Sequence, residues 1–221
     1  MIGENIRAQV FRDTKQFYAD YPAGVFARQI VRFARTHAGE SILDLGCATG
    51  NYAVELTRLG YRVKGADINP QYVRIARERG IDAVLIDGPL PFPDASFDTV
   101  LLFEVLEHIP DPAPVVREAR RVARRNVLIT TPHSGSVAGL QREGLLFEHF
   151  ADLDHKNFFE EATMHDLLRP FFSRVDIRKG DGINPMGLVG NGPVRFVGKA
   201  LTRLGIIRPR YHFRLFAVAT V

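Results

Sequence analysis

The sequence predicts an α/β domain: a doubly wound, mostly parallel seven-stranded sheet with helices on both faces and a C-terminal antiparallel strand pair. Two observations predict it. From residue 25 to residue 131, short apolar runs alternate with stretches of helical period, and runs that are apolar at nearly every position belong to strands covered on both sides. Beyond residue 171 come two strand-like segments, neither of which needs a crossover helix to reach the other.

The elements follow in order. Residues 25–35, VFARQIVRFAR, place Val25, Phe26, Gln29, Ile30 and Phe33 at helical spacing with arginines opposite, which predicts an amphipathic helix. SILDL (41–45) reads as a strand, NYAVELTRLG (51–60) as a helix stopped by Gly60, and YRVKGADI (61–68) as a strand. Pro70 opens a helix through about Arg79 with Gly80 behind it, in keeping with the preference for proline first and glycine last. IDAVLID (81–87) is a strand, GPLPFPDAS (88–96) a proline-broken loop, and FDTVLLFE (97–104) the most apolar strand. A helix over 112–124, a strand over 125–131 and the end of a helix at 163–171 complete the alternation. FSRVDIRKG (172–180) and YHFRLFAVATV (211–221) form the terminal pair, with a glycine-rich insertion over 181–210 that ends in a short apolar-basic helix around 193–204.

A chain of 221 residues with 46% hydrophobic content suits a single domain, 1–221, with appended elements: an N-terminal helical cap at 1–37 and a lid at 181–210. The first residues lack an apolar run with a small-residue cleavage site, and no stretch approaches the ~18 apolar residues of a membrane span. Cys47 is the one cysteine, so no intrachain disulfide forms and the expected compartment is reducing, hence cytoplasmic. The net charge of +4 comes mainly from arginine, densest at 117, 120, 121, 124 and 125 and again at 203, 208, 210 and 214. The first cluster has the spacing of a solvated helix face, so basic balance alone lends nucleic acid or an anionic membrane little support.

The stretch ILDLGCATGN (42–51) carries the chemistry. In an open α/β sheet, ligands lie beyond the carboxyl ends of the strands where strand order reverses, and the first strand with its glycine turn usually supplies that point. The turn Gly46-Cys47-Ala48-Thr49-Gly50 lacks the dinucleotide fingerprint G-x-G-x-x-G, and no lysine followed by Ser or Thr marks a P-loop. Acids take their place: Asp44, Asp67 and Asp87 at the ends of three strands gather along one rim. A pyrophosphate would be repelled there, whereas a ligand with a cationic centre, ribose hydroxyls and an adenine amino group suits it.

LDLGCATG, the acidic end of VKGADIN, and LIDGPLPFPDASFDTVLLFEVLEHIPDP together resemble the class I S-adenosylmethionine-dependent methyltransferases, in particular the group similar to quinone-biosynthesis methyltransferases. The resemblance runs over about residues 38–131. It implies that Asp44 and the turn Gly46, Cys47 and Gly50 hold the amino-acid end of S-adenosylmethionine, and that Asp67 takes the ribose hydroxyls. Ile68 would pack on the adenine, Asp87 beside Gly88 would accept from the adenine amino group, and Phe103 or Glu104 would close the methionine side. Cys47 as a nucleophile has no His or Lys nearby in sequence to lower its pKa; a small residue is needed there for room.

Methyl transfer from a sulfonium needs chiefly a positioned acceptor and exclusion of water, with a general base where the acceptor is a hydroxyl. His108, His133, His149 and His155 are the candidate bases, of which His133, His155 and His108 lead. Two readings of EVLEH are open. If that turn is helical, Glu104, Glu107 and His108 share a face, and with His155 they resemble the ligand set for magnesium or manganese in the 2'-O-methyltransferases of small-RNA 3' ends. In the metal-free small-molecule enzymes, the same residues hold local structure. The main expectation is a methyltransferase acting at oxygen on a metabolite, quinone-like or lipid-like molecule, with no metal; a noncatalytic S-adenosylmethionine-binding module is the alternative of another class.

The acceptor pocket is expected among residues 10–28 with Phe11, Phe17, Tyr18 and Tyr21, residues 133–158, and the insertion. VRFVGKALTRLG (194–205) alternates apolar and basic faces and reads either as a lid helix or as a peripheral membrane contact.

Overall fold

The computed structural model describes residues 26–133, 156–183 and 211–221, with residues 193, 196, 197, 200, 201, 204 and 206 between the last two segments. The elements run α1 (Arg28–His37), β1 (Ser41–Leu45), α2 (Asn51–Arg58), β2 (Arg62–Asp67), α3 (Pro70–Glu78), β3 (Asp82–Leu85) and β4 (Phe97–Phe103). A single 3-10 turn (Leu106–His108), α4 (Ala113–Val122), β5 (Ala123–Pro132), α5 (Glu161–Leu168), β6 (Arg174–Ile183) and β7 (Tyr211–Thr220) follow.

The seven strands form one sheet in the order β3-β2-β1-β4-β5-β7-β6. β1 through β5 are parallel, and β7 runs antiparallel to both β5 and β6. Strand order reverses between β1 and β4, so the crevice for a ligand opens beyond Leu45 and Phe103. Successive residues of each strand feed opposite layers. Leu43, Leu45, Val100, Leu102, Val127 and Ile129 pack with Val116, Ala119 and Val122 of α4 and with Met164 and Leu168 of α5. Ile42, Leu101, Leu128 and Phe216 pack with Ile30, Phe33 and Ala34 of α1 and Leu56 of α2. A strand buried on both faces must be apolar throughout, and β4 is buried at all its positions.

Local chemistry explains the boundaries. Asn69 caps α3 by accepting from Gln71 N at 2.9 Å, and Pro70 takes the first helical position. Gly60 and Gly80, at φ 96° and 84°, end α2 and α3 in the left-handed conformation that costs glycine least.

Several expectations are corrected at their edges. The first helix begins at Arg28 rather than residue 25, and its buried face is Ile30, Val31, Phe33 and Ala34, with Gln29 exposed. β3 stops at Leu85, whose pairing with Asp67 is its last with β2 and is closed by Ile86 N donating to Asp67 O at 2.9 Å, so Asp87 lies beyond the strand. β5 starts at Ala123, two residues early. β6 continues to Ile183, which pairs with Tyr211, so residues 181–183 belong to the sheet and the insertion is confined to 184–210. Residues 1–25 and 134–155, with His149 and His155, and most of the expected lid at 181–210 lie outside the described residues. Among the described residues no helix is long and apolar enough to cross a membrane.

Candidate cofactor site

The turn after β1 is built from left-handed residues: Gly46 at φ 82°, Ala48 at 45° and Gly50 at 83°. It is fastened to β2 by Gly46 N and Cys47 N, which donate to Ala66 O at 2.8 and 3.1 Å. A Cβ on Gly46 would lie 2.7 Å from Val105 Cγ2, so glycine is required there for space as well as for backbone angle.

Asp67, buried at the end of β2, ties that turn to the start of α3. Its Oδ2 accepts from Ala48 N and its Oδ1 from Asn69 N, each at 2.8 Å. Burial pushes its carboxyl up, opposed by the N–H groups of Asn69, Ala48 and Ile68. Asp44 on β1 is buried too, and its Oδ2 meets no hydrogen-bond partner among the described residues. Burial, with Asp67 adding like charge, pushes the Asp44 carboxyl up to about 7. A buried carboxylate without a partner is costly unless a ligand supplies one. The carboxylates, backbone curvature and small side chains of this crevice fit an ammonium group and a vicinal diol, as S-adenosylmethionine presents.

Further contacts stiffen the site. Arg79, the C-cap of α3, donates from Nη1 to Thr49 O, Thr49 Oγ1 and Asn51 Oδ1, all at 2.9 Å, and so grips the turn from behind. Cys47 is buried with its thiol pushed up by desolvation and then by Asp44 and Asp67, the opposite of what a nucleophile needs. Ile68 is half-buried against the apolar cluster, in reach of the same crevice. Asp87 and Gly88 sit exposed at the start of the proline-broken loop, with Gly88 at φ 119°. That loop is fixed by Arg121, which donates to Phe92 O at 2.7 Å and Leu90 O at 3.1 Å while pairing with Glu118.

The end of β4 forms the opposite wall. Phe103 is buried against Phe33 and Tyr52, its ring 5.6 Å from that of Tyr52. Glu104 adopts φ 56°, its N–H donates to Thr130 O at 2.9 Å, and its Oε1 accepts from Arg214 Nε at 3.1 Å. Arg214 also pairs through Nη1 with Asp181.

EVLEH does not form an α-helical face: Glu104 precedes the single 3-10 turn that begins at Leu106. Glu107 is wholly buried, accepts from Thr131 Oγ1 at 3.1 Å, and has its carboxyl pushed up by desolvation and by Glu104. Its carbonyl accepts from Lys156 N and Asn157 N at 2.6 and 3.0 Å, stitching the chain after residue 155 to this turn. His108 Nε2 lies 4.0 Å from Glu107 Oε1. Among the described residues no three His, Cys, Asp or Glu side chains gather as a metal set, and His155 lies outside them.

His133 follows β5 at the same rim, buried, with its N–H donating to Phe213 O at 2.8 Å. Its Nδ1 lies 3.2 Å from His212 O, which can only accept, so Nδ1 carries the proton and Nε2 keeps a lone pair. Burial lowers its pKa, which holds the ring neutral near pH 7.

Sequence reasoning named the acids but missed the arginines. Arg121 grips the loop and Arg124 pairs with Asp98, so the cluster read as a solvated face is partly structural. The signal available for Arg121 was the acid at i−3, Glu118. Arg214 and Arg79 gave none, since their partners are distant in sequence.

A parallel sheet whose last strand slots in reverse between the fifth and sixth, with acids behind a glycine turn, is the architecture of class I S-adenosylmethionine-dependent methyltransferases. The chain matches, over residues 43–130, the family described as "Methyltransferase domain". It is 34% identical over 95 residues to a ubiquinone biosynthesis O-methyltransferase of Xanthomonas oryzae pv. oryzae, covering 39% of this chain and 40% of that protein. Over 92 residues it is 38% identical to a demethylmenaquinone methyltransferase of Tropheryma whipplei, covering 39% and 38%. The aligned region thus spans about 40% of the length of these curated relatives. In fold it is similar to a SAM-dependent methyltransferase from Archaeoglobus fulgidus, with a TM-score of 0.65 at 18% identity over 88% of this chain and 92% of that one.

Proposed function

We propose that the chain transfers the methyl group of S-adenosylmethionine to a small organic acceptor, at a hydroxyl oxygen of a quinone-like or lipid-like molecule. The observation that carries this reading is the buried Asp44 carboxylate beside Asp67 at the head of the glycine turn, whose Oδ2 meets no partner among the described residues. The donor, when bound, supplies a sulfonium methyl group that needs no further activation.

The chain's own residues do the rest. Asp44 accepts from the donor's ammonium and Asp67 from its ribose hydroxyls, using lone pairs that Ala48 N and Asn69 N leave open. Ile68 packs against the adenine, and Asp87 accepts from its amino group. His133 Nε2 takes the acceptor's hydroxyl proton as the oxygen turns nucleophilic, while His212 O holds the ring in the required tautomer. The names of the two quinone-pathway relatives support an acceptor of that chemical kind.

The test is transfer of tritiated methyl to a panel of hydroxylated quinols and phenols. Transfer is expected, lowered about 100-fold or more by His133→Ala with donor affinity unchanged. Asp67→Asn is expected to cost donor affinity instead. Tight binding of S-adenosylhomocysteine with no transfer to any hydroxylated acceptor would sink the oxygen-directed reading and leave a binding module; label entering short RNAs only when manganese is supplied would replace it with the metal-dependent one.

A further inference from the structure

One polar group at the donor crevice is left without a role: the hydroxyl of Tyr52, in the first turn of α2, just past Gly50. The ring is half-buried and stands edge to face with Phe103, the centroids 5.6 Å apart. Ala27 N donates to the hydroxyl oxygen at 3.4 Å, and the hydroxyl's own proton meets no acceptor among the described residues. Asp44 pairs in register with Leu101, and Phe103 follows Leu101 by two, so Asp44 and Phe103 share the face of the sheet that α1 and α2 cover. Tyr52, packed on the last residue of β4, therefore lies on the side where Asp44 is buried, within electrostatic reach of Glu104, Arg214 and Asp44. Burial pushes its phenol up to about 12, so the group keeps its proton at physiological pH and offers a donor there, not a base.

We infer that the Tyr52 hydroxyl donates to the carboxylate of the donor's methionine end, beside the ammonium that Asp44 accepts from, an assignment that rests on the proposed S-adenosylmethionine site. An amino acid is a zwitterion, and a crevice holding only buried acids would bind its ammonium and repel its carboxylate. Asp44 Oδ2 is an acceptor and the Tyr52 proton a donor, each without a partner among the described residues and each in electrostatic reach of the other's group. The start of α2 favours the same occupant. Its N-cap, Gly50, has no side chain to satisfy the first N–H groups, and its first turn carries no acid, so the positive end of the helix is open to an anion. The consequence is selectivity: the site prefers a donor that retains its carboxylate over the decarboxylated form.

The experiment is calorimetric titration of the full chain, wild type and Tyr52→Phe, with S-adenosylhomocysteine and with its decarboxylated analogue, S-adenosylthiopropylamine. The wild type is expected to bind the first about tenfold more tightly than the second, as the loss of a hydrogen bond to a charged group predicts. Tyr52→Phe keeps the ring against Phe103 and removes only the hydroxyl. It should weaken S-adenosylhomocysteine about tenfold and leave the affinity of the amine as in the wild type. Unchanged binding of the amine also reports that the variant is folded. The assignment fails if the variant weakens both ligands alike, since Tyr52 would then act through packing, or if it binds S-adenosylhomocysteine as the wild type does. A wild type that binds both ligands equally sinks the carboxylate contact alone, whereas one that binds neither sinks the donor site on which it rests.

Discussion

Arg214 of β7 donates from Nε to Glu104 at 3.1 Å and from Nη1 to Asp181, joining two non-glycine residues that both stand in the left-handed region, at φ 56° and 54°. One guanidinium ties the end of β4, at the donor crevice, to the end of β6, where the connection to β7 departs. Left-handed backbone at a non-glycine residue costs on the order of 1–2 kcal/mol and persists where surrounding contacts hold it.

Arg214→Gln should therefore act at two places. It removes the cation between two largely shielded carboxylates, and a loss of about 3 kcal/mol in urea unfolding is expected. S-adenosylhomocysteine affinity should fall as well if Glu104 closes the methionine side as the resemblance implies, because the variant releases it. A variant with wild-type stability and affinity would show that the ion pair is incidental.

The pH dependence of donor binding should follow Asp44. Its folded-state pKa of about 7 lies above the ordinary aspartate value of 3.8, so the folded, ligand-free protein holds a proton that the unfolded chain has released across that window. Asp44 thus contributes most to stability below pH 4, and that contribution is lost as pH rises through about 7. Donor binding runs the other way, since the ammonium needs the ionised carboxylate. Calorimetry with S-adenosylhomocysteine is expected to show affinity rising about tenfold per unit up to about pH 7 and levelling above it. Asp44→Asn should remove the slope. A flat profile in the wild type would mean Asp44 is not the ammonium's partner.

The glycine turn gives a pair of contrasting variants. Gly46→Ala places a Cβ 2.7 Å from Val105 Cγ2 at φ 82°, and left-handed strain with overpacking is expected to cost about 3 kcal/mol in stability. Arg79→Gln leaves the backbone angles alone and removes the donor to Thr49 and Asn51. It should weaken S-adenosylhomocysteine binding about tenfold while moving the urea midpoint little. Equal effects of the two on stability would show that Arg79 holds the fold rather than the turn.

Much of the architecture was readable from near neighbours along the chain. Asn69-Pro70 starts α3 and Gly80 follows its end because capping and left-handed turns are settled within a few residues. β4 stood out because a central strand must be apolar on both faces. The acids at 44 and 67 were found for a related reason: a charge next to a strand's apolar run, at a glycine turn, has no local role in the core.

Edges and cross-links were less readable. β3 stops short of Asp87 because its pairing partner β2 ends at Asp67, opposite Leu85, a register that lies in another strand. The EVLEH motif admits an α-helical turn by spacing, and the 3-10 geometry follows from how Glu107 is pinned to Thr131 and to residues 156 and 157.

What the sequence by itself determined was the class of fold, the strand-end acids and the donor they suit, since hydrophobic period and turn chemistry act over short chain distances. Only the tertiary structure decided that Asp44 Oδ2 meets no partner among the described residues, that His133 keeps Nε2 free of the His212 contact, and that Arg214 reaches Glu104 across 110 residues. The last two facts depend on β7 lying between β5 and β6. That order is set by the packing of the whole sheet, and no local pattern encodes it.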